Sequence, residues 1–115
     1  MQARPTTPTV LPADAVSAIT SAPLGTGDGV NHRVLWRDGT SVAGLLTIDA
    51  GRRLGVHQHR VNHHHIWVVA GHASVFGRLV DPGSYVHVPC GVDHDIDATS
   101  TEGCTVFYVY EPPER

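Results

Sequence analysis

From His32 onward, apolar and polar residues alternate in short runs. Glycine, proline and aspartate interrupt them at even intervals. The pattern predicts strands at 32–37, 41–49, 63–70, 72–79, 84–88, 94–98 and 104–110. These runs are rich in Val, Ile, Thr and aromatic residues, which suit a pleated, half-buried backbone. Asp38-Gly39, Gly51, Gly71 and Asp81-Pro82-Gly83 are the expected turns between them. No run has convincing helical periodicity. Many short strands at regular spacing predict an all-β sandwich or barrel.

Residues 1–23 differ, with Pro5, Pro8, Pro12 and Pro23 among many Thr and Ala. They read as an extended N-terminal arm preceding a domain at 24–115. The arm carries either an edge strand around Val16–Thr20 or a short helix starting near Pro12, since proline suits a first helical turn. It is expected to cover a sheet edge, its own or a partner's, because an open edge invites pairing.

Strand alternation also sorts side chains to faces. In 63–70 one parity holds His64, Ile66, Val68 and Ala70; the other holds His63, His65, Trp67 and Val69. Both sets are apolar enough to face inward, so alternation alone leaves the choice open. In 94–98, His94, Ile96 and Ala98 form the inward face, and Asp93, Asp95 and Asp97 are expected in solvent. Trp67, Phe76 and Phe107 are expected to fill core.

Composition narrows the function. The 115-residue chain suits one domain with one modest core. It has nine His against eight Lys plus Arg, all of them Arg, and a net charge of −3. An acidic chain without lysine is a poor partner for nucleic acid or anionic membranes. No apolar run approaches the ~20 residues of a membrane span or forms a signal peptide, so the expected compartment is the cytoplasm. Cys90 and Cys104 make no disulfide framework and are expected to be small buried hydrophobes.

The histidines carry the candidate chemistry. His57 and His59 share a face if their segment is extended. His63, His64 and His65 begin the next predicted strand, and His94 opens a later one. Imidazole is the commonest metal ligand in proteins, and an H-x-H pair with two further strand histidines can converge on one ion. Tyr85, His87 and Tyr108 become candidate proton-transfer groups only if their strands turn them inward. His32, His65 and His72 are expected at the surface.

The spacing resembles the cupin superfamily. Its first motif, G-x5-H-x-H-x3/4-E-x6-G, is matched by Gly51, His57, His59, His64 and Gly71. Its second, G-x5-P-x-G-x2-H-x3-N, is matched by Gly83, Pro89, Gly91, His94 and Ala98. Two positions depart: His64 replaces the usual Glu and Ala98 the usual Asn. The resemblance covers residues 24–110 and is nearer to a branch containing the cupin domain of zinc-binding anti-sigma factors and the acetylacetone-cleaving dioxygenases. An anti-sigma role is not expected, because no sigma-binding helical domain accompanies the motifs.

The resemblance implies a double-stranded β-helix, or jelly-roll barrel, often dimeric, with a metal in one mouth. The implied ligands are His57, His59, His64 and His94, with His63 in reserve. Four neutral imidazoles leave a divalent ion at +2, so the site should favour an anionic ligand. Nitrogen donors favour Fe, Zn, Ni, Co or Cu over Mg and Ca, without choosing among them. Three functions follow as expectations: a metal-dependent dioxygenase on a small anionic or diketone-like substrate, a non-catalytic metal or small-ligand binding module, and a cupin isomerase or related sugar-processing enzyme. A homodimer binding a small molecule is the expected assembly.

Overall fold

The computed structural model describes residues 7–24, 28–57 and 61–112. Its elements are α1 (Ala13–Ala18), β1 (Ala22–Pro23), β2 (Val30–Asp38), β3 (Ser41–Asp49), β4 (His63–Val75), β5 (Arg78–Val80), β6 (Tyr85–Val88) and β7 (Gly103–Glu111). The described strands join in one antiparallel sheet, ordered β1-β2-β3-β7-β4-β5, with β6 also on β4. The mostly-β class expected from the alternation is the one observed.

In the arm, the helix replaces the edge strand at Val16–Thr20. Pro12 precedes its first turn and its carbonyl accepts from Val16 N–H at 3.0 Å. β1 pairs with β2 in the register Ala22↔His32, so the arm covers the edge of its own sheet. Arg33 fastens the junction, donating from Nε to the Ile19 carbonyl at 2.8 Å.

The largest departure from the predicted elements is at Gly71. β4 runs through it as one 13-residue strand instead of turning. Its pairing with β7 shifts register between Val68 and Ala70, the mark of a bulge. The bulge exchanges faces: His64, Ile66 and Val68 are buried, Ala70 is exposed, and burial resumes at Ala73 and Val75. The reversal comes at Phe76-Gly77, where φ is +51° and +73°, as tight hairpins favour. Phe76 therefore sits on a turn and is 55% exposed, contrary to its expected place in the core. Trp67 is 52% exposed on the outer face, also contrary to expectation.

Residues 94–98 form isolated bridges, not the predicted continuous strand: His57↔His94, Arg53↔Asp97 and Ser74↔Asp97. They lie between the 51–57 segment and β4, joined by Leu54 N to Ile96 O at 2.9 Å and Ser74 N to Asp97 O at 2.8 Å. The core packs Ile48, Ile66, Val88, Ile96, Ala98 and Val106 together. Two histidines, His64 and His94, share that buried interior.

Candidate metal centre

Each site histidine is placed by a local rule. His64 follows the inward parity of β4 and is 1% exposed. His94 shares the face of Ile96 and Ala98, as expected, and is 3% exposed. His57 reaches the same place because its backbone exchanges two hydrogen bonds with His94, at 2.9 and 2.8 Å. Such a pair puts the two side chains abreast, and their ring centroids are 4.1 Å apart. The His64 ring is 5.2 Å from that of His94.

Hydrogen bonding sets the proton positions. His57 Nδ1 is 2.7 Å from the Gly55 carbonyl, and His94 Nδ1 is 3.0 Å from the Val92 carbonyl. A carbonyl only accepts, so both Nδ1 atoms donate. In the neutral rings the lone pair is then on Nε2. His94 Nε2 accepts from His64 Nδ1 at 3.1 Å. Donation of the second ring N–H to a carbonyl is the usual way a ligating histidine is fixed.

The donor set fits a transition metal. His57, His64 and His94 each offer a ring nitrogen, all within 4.8 Å of one another. Two nitrogens 3.1 Å apart subtend about 100° at an ion with bonds of about 2.0–2.1 Å. Tetrahedral zinc needs separations of about 3.4 Å, and all three nitrogens lie within 4.8 Å of one another. Three neutral nitrogens suit Zn, Fe, Co, Ni or Cu and disfavour Mg and Ca.

Burial favours the neutral form of His94. Removal from water pushes the His94 pKa down, outweighing its Val92 hydrogen bond, and the nearby His57 lowers it further. The unfolded histidine titrates near 6.5, above the folded one. Between those values the unfolded chain binds more protons, so metal-free stability falls as pH drops below about 6.5. Urea titrations from pH 8 to 5 should show this loss, with a shallower slope for His94→Gln.

Two tyrosines close the interior side: Tyr108, a candidate from the sequence, turns inward, and Tyr110 is a neighbour that the sequence reading missed. Tyr110 and Tyr108 ring centroids lie 4.7 and 6.2 Å from His64. Burial raises the Tyr108 pKa and pushes Tyr110 up to about 12, so both keep their phenolic protons at neutral pH. Tyr108 OH is 3.1 Å from His32 Nδ1, so His32 has a buried partner instead of the expected surface role. Gly44 makes room for Tyr108: a Cβ there would lie 2.5 Å from its hydroxyl. The inward parity of β7 was the available signal.

Asp95 also departs from its expected solvent role. Its side chain is 11% exposed and pairs with Arg53 at 2.5 Å. It accepts from Gly55 N–H and Arg53 Nε, both at 2.7 Å. Since the Gly55 carbonyl orients His57, Asp95 positions that imidazole through the backbone of one residue, Gly55. Asp95→Ala should weaken zinc binding about 10-fold, at the lower end for outer partners of a metal ligand. Competition against a chromophoric chelator measures it.

The remaining sequence candidates separate clearly. His59 lies outside the described residues. His63 points to the opposite face from His64 and lies 3.3 Å from His87, so it is not in the buried cluster. Tyr85 and His87 are exposed, while Tyr108 faces inward. Cys104 is buried and its thiol is pushed up to about 11 by desolvation; Cys90 is half-buried.

The family model described as the ChrR Cupin-like domain matches residues 13–114. No curated protein sequence matches the chain. Among solved structures, a chain in the complex of Rhodobacter sphaeroides SigE with the anti-sigma ChrR superposes with TM-score 0.68 at 20% identity. The match covers 83% of this chain but 50% of that one, so this chain spans half its length. A predicted oxalate decarboxylase from Thermotoga maritima gives TM-score 0.74 at 16% identity, over 91% of this chain and 100% of that one. The polyketide cyclase RemF from Streptomyces resistomycificus gives 0.72 at 19%, over 86% and 79%. At these identities the common property is the fold.

Proposed function

The chain belongs to the ChrR cupin-like family, and within it we propose a metal-binding cupin with dioxygenase activity on a small anionic, diketone-like substrate. The carrying observation is the convergence of His57, His64 and His94 ring nitrogens within 4.8 Å in a largely buried site. His59, two residues beyond His57, is the proposed fourth ligand. A divalent ion bound by neutral imidazoles would supply an undiminished +2 centre for an enolate or carboxylate and, as iron, for oxygen chemistry.

The chain's own groups suit that role. Ile66, Val88 and Ile96 exclude water around the imidazoles, which strengthens their attraction for an anion. Tyr108 holds its proton and is oriented by His32. His57 and His94 present lone pairs fixed by backbone carbonyls.

Iron-loaded protein should consume oxygen with 2,4-pentanedione, and the His57→Ala/His94→Ala protein should not. The near-complete burial of His64 and His94 favours a second reading, a closed non-catalytic metal-binding site. Stoichiometric zinc with no oxygen uptake by the iron-loaded form would select that reading.

A further inference from the structure

β4 presents histidines to both faces. While His64 turns inward, His63 and His65 turn out, beside His87 on β6 and Glu111 on β7. The register pairs His65 with His87 and His63 with Glu111, so all four occupy neighbouring positions on one face. Three hydrogen-bonded strands hold them.

The geometry points to a second transition-metal site on this outer face, with His63 and His87 as its nitrogen ligands. His63 Nδ1 and His87 Nε2 are 3.3 Å apart. That is close to the nitrogen separation across a tetrahedral ion with bonds of about 2.0–2.1 Å. Without metal, one ring must donate its N–H to the other; an ion would take that proton's place and accept both lone pairs.

The surroundings support a cation. Glu111 Oε1 lies 3.1 Å from His65 Nε2, while His65 Nδ1 lies 2.7 Å from Tyr85 OH. His65 also stacks on His87, with ring centroids 5.1 Å apart, and limits that ring's rotation. The carboxylate thus brings negative charge beside the histidine pair. Two imidazoles suit Zn²⁺, Cu²⁺ or Ni²⁺, with water completing the coordination. With two protein ligands and an exposed setting, the site binds more weakly than the buried cluster.

Equilibrium dialysis of the metal-free full chain with Zn²⁺ at pH 7.5 tests this. Wild type should take up two equivalents, one tight and one weaker. His87→Gln and His63→Gln should each weaken the second at least tenfold and leave the tight one. His94→Gln should do the reverse, so failure of the buried site and failure of the outer site read differently. If neither His87→Gln nor His63→Gln changes wild-type Zn²⁺ uptake, the 3.3 Å pair is only a hydrogen bond and the proposal falls.

Discussion

His94→Ala should lower zinc affinity about 100-fold or more. Structural zinc sites bind with about 10–16 kcal/mol through four ligands, so roughly 3 kcal/mol accompanies each. That corresponds to about two orders of magnitude. The His94 loss should exceed that of Asp95→Ala, because Asp95 acts only through Gly55. His57→Ala/His94→Ala should retain no metal through gel filtration in chelator. Far-ultraviolet circular dichroism at pH 8 should stay strand-like, since the sheet does not pass through either ring. Near-wild-type affinity in folded His94→Ala would remove His94 from the ligand set.

Gly71→Ala should be among the most damaging single substitutions in the sheet. Gly71 has φ +75°, and a Cβ there would lie 2.1 Å from the Gly103 carbonyl oxygen. The obstructing atom is backbone, held in the β4–β7 ladder by Gly71↔Cys104 and His72↔Gly103. Left-handed backbone costs about 1–3 kcal/mol for a residue with a side chain. Displacing packed structure costs about 1–3 kcal/mol more. The expected loss is about 2–6 kcal/mol, a large part of a small domain's stability. Gly77→Ala is the control: its φ is +73°, but a Cβ there meets nothing within 4 Å. Urea midpoints should therefore fall much further for Gly71→Ala than for Gly77→Ala. Equal losses would mean that β4 and β7 do not approach so closely.

The same glycine shows what local pattern conveys. It was legible as a special backbone position, but read as a turn. Its reason is tertiary: β4 passes against Gly103, which lies 32 residues further along the numbering. The register shift near Val68 also ends simple alternation, so Ala70 leaves the face that Ile66 occupies. The inward face at 94–98 was legible because acids alternated with His94, Ile96 and Ala98. The face of β4 was not, because Trp67 and Val69 are as apolar as Ile66 and Val68. Motif spacing to Gly71 favoured His64 over His63, and the buried cluster contains His64. Asp95 looked like one of three solvent acids; its contacts with Arg53 and Gly55 join segments about forty residues apart, beyond any local pattern.

The most direct test of the central claim is X-ray absorption at the metal edge of stoichiometrically loaded protein. The account predicts nitrogen neighbours at about 2.0–2.2 Å, with the outer-ring scattering of at least three imidazoles. A sulfur-dominated shell from Cys90 or Cys104, or oxygen neighbours with fewer than three imidazoles, would contradict a centre built on His57, His64 and His94.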